Sequence, residues 1–177
     1  MQLRDEIKAS IREVEDYPKP GIIFKDITPV LAKPALVRDI ISALVTYWKP
    51  MKLDAIAAVE ARGFILGSIL AHQLECSFIP IRKSGKLPYL TKRETYTLEY
   101  GTSTIEMHTD AVQPGNNVLI HDDLLATGGT AAAAGRLIKS SGGTIAGFSF
   151  LINLSFLPGT QNLLSEFGIA PNYLIDY

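Results

Sequence analysis

The sequence carries one cysteine, Cys76, which excludes an internal disulfide framework. Its apolar setting (LECSFIP) reads as a buried thiol in a reducing compartment. Charge of one sign is also missing: Lys and Arg number 17 against 18 Asp and Glu, a net charge of −1. No bulk positive field is available to hold nucleic acid without sequence preference, so no nucleic-acid partner is expected. Long apolar runs are absent too. None approaches the roughly 20 residues that span a bilayer, and Met1 to Glu6 does not read as a signal peptide. No membrane partner is expected, and the implied location is cytoplasmic. Internal repeats, low-complexity tracts, GxGxxG and GxxxxGK[ST] are likewise missing. What remains is a chain of 177 residues, 47% hydrophobic, which suits one globular domain over 1–177.

The apolar pattern gives its class. Leu3, Ile7, Ile11 and Val14 recur at helical spacing, and Pro18 and Pro20 stop that helix. The run from Gly21 is ended by Pro29. Pro34 opens a helix striped by Leu36, Ile40, Leu44 and Trp48, closed by Pro50. Next come a strand at Ala55–Val59, a helix over Phe64–Leu74 and a strand at Phe78–Ile81. A third strand at Val118–Ile120 precedes a helix at Thr130–Ile138 and a fourth strand at Ile145–Ile152. Short apolar strands alternating with helices predict an α/β fold: a doubly wound, mainly parallel sheet with helices on both faces. Such folds place their sites at the carboxyl ends of the strands. Residues 82–115 break this rhythm. A basic segment, Arg82 to Pro88, leads into a hairpin built from 95–100 and 103–108, and so long an excursion predicts a lid.

The informative segment runs from Val118 through Asp122, Asp123 and Leu124 to Ala126-Thr127-Gly128-Gly129-Thr130. A small-residue turn at a helix N-terminus offers backbone N–H groups and hydroxyls to a phosphate. Two carboxylates would repel that phosphate, so they face something beside it that wants acceptors: vicinal hydroxyls or a divalent cation. Hydroxyls next to a phosphate describe a ribose 5-phosphate. The alternative, that the acids cap the helix, asks for one acid next to Gly128 instead of a pair several residues upstream.

This segment resembles the phosphoribosyl-pyrophosphate motif of the type I phosphoribosyltransferases. Four further segments, GIIFKDITP from Gly21, EARGF from Glu60, RKSGKLP from Arg82 and YTLEYG from Tyr96, resemble the adenine branch of that family. The resemblance implies the family fold, with an N-terminal base-binding hood over about 1–33 and a flexible lid over about 82–108. It implies transfer of phosphoribose from phosphoribosyl pyrophosphate (PRPP) to adenine, giving AMP and pyrophosphate in purine salvage. Mg²⁺ is implied as cofactor, held mainly by substrate with no firm protein ligand, and a homodimer is implied as the assembly.

It also implies residue roles. Ala126, Thr127, Gly128, Gly129 and Thr130 hold the ribose phosphate, and Asp122 and Asp123 hold the ribose hydroxyls. Glu60, Ala61, Arg62, Gly63, Lys83 and Lys86 face pyrophosphate. Phe24 and Leu124 cover the two faces of adenine while backbone groups of Ile23 and Lys25 read its amino edge. Glu99 is the acid/base, with Tyr100 as its companion. His121 departs from the pattern, since the family usually carries an apolar residue there. It is either a buried neutral histidine or a charge that tunes Asp122. His72 and His108 lack metal-ligand spacing. Two rival functions remain: transfer to another purine, and a non-enzymatic regulator that binds PRPP.

Overall fold

The structure, a computed structural model, describes residues 2–97 and 101–177. The chain divides into two compact units, one ending at Tyr47 and one beginning at Trp48.

The first unit opens with helix α1 (Leu3–Ser10). The predicted helix was to run on to Val14, but β1 (Arg12–Val14) pairs antiparallel with β2 (Phe24–Asp26), so tertiary pairing overrides the helical spacing. Pro29 does not end the next segment. It sits in the first turn of α2 (Thr28–Leu31), where its missing N–H costs nothing. Asp26 supports that turn by accepting from the Thr28 N–H at 2.9 Å. Helix α3 (Pro34–Trp48) begins at Pro34 as expected, and Leu36, Ile40 and Leu44 are buried along it.

The second unit contains β3 (Ala55–Val59), α4 (Gly63–Gln73), β4 (Ser77–Lys83), β5 (Thr91–Thr97), β6 (Thr102–His108), β7 (Asn117–Leu125), α5 (Gly129–Ser140), β8 (Thr144–Asn153), α6 (Gly159–Phe167) and β9 (Asn172–Asp176). Its sheet has the order β5-β6-β4-β3-β7-β8-β9. Strands β4, β3, β7, β8 and β9 are parallel, and the β5–β6 hairpin joins antiparallel on the β4 side. This is the predicted doubly wound sheet. All five residues of β3 are buried, as central parallel strands require. Two corrections bear on the site. β7 runs on through Leu125, so the acids lie within the strand and not after it. β5 starts at Thr91, four residues before the predicted hairpin arm. Helix α6 and strand β9 extend the fold beyond the elements that the apolar pattern predicts. No helix among the described residues is long and apolar enough to cross a membrane.

Candidate active site

The site lies at the carboxyl ends of β3 and β7. Strand β7 is paired to β3 through His121 and to β8 through Leu125, and Asp122 and Asp123 lie on it just past the last β3 partner. Gly128 then takes φ +82°, a left-handed conformation that a side chain resists. A Cβ there would also meet Gly159 O at 3.1 Å. Among the described residues no side chain caps α5, so its first amides remain available to an anion. A cavity of about 80 Å³ lies at this turn, lined by Asp122, Leu124, Thr127, Gly128 and Thr130. A wider groove of about 770 Å³ opens on the other side of the turn, beside Tyr96, Gly129 and Arg136. Arg136 there is already neutralised by Glu94 at 2.6 Å and Glu166 at 2.7 Å. Thr130 Oγ1 donates to the Tyr96 hydroxyl at 2.9 Å, which ties the hairpin to the turn.

The corner after β3 meets the acids directly. Arg62 Nε stands 2.9 Å from Asp123 Oδ2. Gly63 packs so closely that a Cβ on it would lie 2.9 Å from Asp122 Oδ1. Glycine is therefore the residue that lets this corner close. Burial raises both aspartate carboxyls above their usual range. The charge of Asp123 pushes Asp122 further, and Arg62 offsets part of the rise on Asp123.

The Glu60–Ala61 peptide is cis, and the Glu60 carboxylate bonds to the start of the basic segment. Its Oε1 accepts the Lys83 N–H at 2.7 Å, and its Oε2 pairs with Arg82 Nε at 2.8 Å. Burial pushes the Glu60 carboxyl up, but the Lys83 amide and the Arg82 guanidinium outweigh it and hold the group below its usual range. Lys83 and Lys86 are exposed, and among the described residues neither ammonium forms an ion pair. Both side chains are accessible to a ligand.

Ile23, Phe24 and Lys25 belong to the first unit. Phe24 meets Tyr17 edge-on at 5.2 Å between ring centroids. Lys25 is buried and paired with Glu13 across the β1–β2 hairpin. Glu99 and Tyr100 lie outside the described residues. His121 is fully buried with Nδ1 3.2 Å from Ser149 Oγ, and burial lowers its pKa to about 4, so it is a neutral core histidine. Sequence reasoning missed Glu106, which organises the basic segment. The available signal was an acid between two apolar strand residues, Ile105 and Met107.

A parallel sheet carrying an amide turn, a carboxylate pair and surplus cations at its strand ends is the architecture of a sugar-phosphate-handling α/β protein. Residues 26–154 match the family described as phosphoribosyl transferase domain. The adenine phosphoribosyltransferase of Cytophaga hutchinsonii is 55% identical over 161 residues, 91% of this chain and 89% of that one. The crystal structure of adenine phosphoribosyltransferase from Rhodothermus marinus aligns with a TM-score of 0.93 at 48% identity, covering 99% of this chain and 98% of the other. The Saccharomyces cerevisiae enzyme, complexed with an imino-altritol bisphosphate and adenine, aligns at 0.91 with 34% identity, covering 98% of each chain. The chain belongs to the phosphoribosyl transferase domain family and, within it, to the adenine phosphoribosyltransferases.

Proposed function

We propose that the chain transfers phosphoribose from PRPP to adenine, giving AMP and pyrophosphate. The observation that carries this reading is the unbroken path from the acid pair on β7 through the left-handed Gly128 to the uncapped start of α5. In the reaction the bond from the anomeric carbon to a pyrophosphate oxygen breaks and a bond to a purine ring nitrogen forms. The proton that nitrogen carried is released. The transition state has oxocarbenium character, which nearby carboxylates favour.

The residues divide the work. The amides and hydroxyls of Ala126–Thr130 fix the ribose phosphate, and Asp122 and Asp123 accept from the ribose hydroxyls. Arg62, Lys83, Lys86 and the amides of the Glu60–Gly63 corner meet the charge of departing pyrophosphate. Glu60 itself serves by holding Arg82 and Lys83. Phe24 offers a ring face to the purine, backbone groups of Ile23 and Lys25 its amino edge, and Leu124 an apolar surface. Glu99 handles the proton with Tyr100 beside it, and that assignment rests on the sequence. The lid over about 82–108 would exclude water on closure. Mg²⁺ held mainly by substrate oxygens and water, with no firm protein ligand, is part of the same reading. Bound Mg²⁺ would neutralise pyrophosphate charge.

We place a homodimer contact on the outer face of α4, where Ile65, Ile69 and the neighbouring Phe78 are exposed. A cytoplasmic location is part of the same reading. The test is pyrophosphate release from PRPP and Mg²⁺ with each purine in turn. Adenine should support turnover far above guanine, hypoxanthine or xanthine. Preference for another purine, or PRPP binding with no turnover on any, would overturn the assignment.

A further inference from the structure

Glu106 has no exposure to solvent and lies on β6 between buried Ile105 and Met107. A charge so placed is costly unless its lone pairs are met. Oε1 accepts the successive backbone N–H groups of Gly85, Lys86 and Leu87 at 2.9, 3.0 and 3.1 Å. Oε2 accepts from Thr91 Oγ1 and from Arg93 Nε, each at 3.1 Å. Burial pushes the carboxyl up, but the Leu87 amide, Thr91, Arg93 and the Gly85 amide outweigh it and keep the group ionised. Three consecutive amides converging on one oxygen form a nest, the backbone device that binds phosphate in other proteins. Gly85, at φ +85°, supplies the left-handed residue such a nest uses. Here the chain's own carboxylate fills it.

The nested segment is the one that carries Lys83 and Lys86. Glu60 grips it from the other side through the Lys83 N–H and Arg82, whose Nη1 donates to Lys86 O at 3.1 Å. The backbone is therefore fastened by two acids while its two ammonium groups face solvent.

We propose that Glu106 is a positioning residue for the leaving group, holding the 83–87 backbone so that Lys83 and Lys86 are preset for pyrophosphate. This rests on reading those lysines as pyrophosphate ligands. Glu106 touches no ligand, and its charge acts through the nest. The sign of its effect separates this role from a field effect. By Coulomb attraction alone, removing a negative charge near an anion site tightens anion binding. Loss of positioning weakens it.

Calorimetric titration with Mg-pyrophosphate and, separately, with ribose 5-phosphate tests this on the whole chain. Glu106→Gln keeps the shape, but its amide oxygen offers the nest only a neutral acceptor and its NH2 cannot accept from Arg93 Nε as Oε2 does. The pyrophosphate Kd should rise about tenfold while the ribose 5-phosphate Kd stays within about twofold. Thr91→Val removes one charge-assisted hydrogen bond from the carboxylate and preserves the nest. It should raise the pyrophosphate Kd about twofold, again selectively, and it decides the matter if the glutamine variant does not fold. Unchanged or tighter pyrophosphate binding, or equal weakening of both ligands, would overturn the proposal. A parent chain that binds ribose 5-phosphate but not Mg-pyrophosphate would instead overturn the leaving-group reading of Lys83 and Lys86.

Discussion

The two halves of the site are built by different means. The half assigned to ribose phosphate is one continuous stretch, Asp122 to Thr130, held by main-chain structure: β7 between β3 and β8, the left-handed Gly128, and the start of α5. The half assigned to pyrophosphate gathers Arg62 and the Lys83–Leu87 segment from the ends of β3 and β4 and Glu106 from within β6, and it is held by side-chain carboxylates. Arg62 joins them at Asp123, at 2.9 Å, and Gly63 packs against Asp122. The difference follows the chemistry. The phosphate turn faces a group present in both substrate and product, so a rigid backbone cradle suits it. Pyrophosphate must leave, and cations on adjustable side chains can meet its charge and then release it.

The largest effect should come from severing the joint itself. Asp122→Asn combined with Asp123→Asn removes the charge-assisted acceptors for the ribose hydroxyls. Affinity for ribose 5-phosphate and PRPP should fall about 100-fold, since bonds to charged groups are worth about 1.5–3 kcal/mol each. Pyrophosphate binding alone should hold or tighten, because Arg62 loses its counter-charge. Titration of both ligands checks this, and unchanged ribose 5-phosphate affinity would remove the acids from the sugar. The same carboxyls set a pH dependence. Their values are raised above the ordinary 3.8, by burial first and for Asp122 by Asp123 next. As pH falls they protonate earlier than ordinary aspartates, so ribose 5-phosphate affinity should decline from the acid side before other carboxylates titrate.

A smaller effect confined to one half would sharpen the contrast. Gly128→Ala forces a Cβ into the left-handed region, at a cost of about 1–2 kcal/mol, and toward Gly159 O. The turn should bind ribose 5-phosphate about tenfold more weakly, with pyrophosphate affinity unmoved. Equal losses for both ligands would mean that the halves are not separately built.

This contrast also explains what could be read from the chain beforehand. The turn half is local: acids, glycines and hydroxyls stand in order, so Asp122, Asp123 and Gly128 were legible with their chemistry. The parallel strands β3, β4, β7 and β8 were legible because buried strands are uninterrupted apolar runs. The carboxylate scaffold was not. Glu106 meets Gly85 only through the β4–β6 pairing, and that partner lies 21 residues away in sequence. Val14 was misassigned for the same reason, since its pairing with Phe24 is invisible to helical spacing. Strand β9 lacks the continuous apolar run of the central strands, and only Ile175 among its residues is buried.

The smallest effect on ligands should come from beneath both halves. His121 sits on β7 opposite Ala58 and Ser149 and against Gly67, where its Cδ2 would lie 3.3 Å from an added Cβ. Burial lowers its pKa from 6.5 to about 4. Between those values the unfolded chain binds a proton that the folded chain refuses, so stability is lost as pH falls. His121→Leu removes that term while keeping a side chain of similar bulk. Urea unfolding at pH 7 and pH 4.5 should show the parent losing about 2–3 kcal/mol relative to the variant across that interval. Ribose 5-phosphate and pyrophosphate affinities at pH 7 should agree within about twofold, a difference of about 0.4 kcal/mol. A stability difference that does not change with pH would show that His121 carries its proton inside the fold, and would make it a charge beside Asp122 instead of a neutral part of the core.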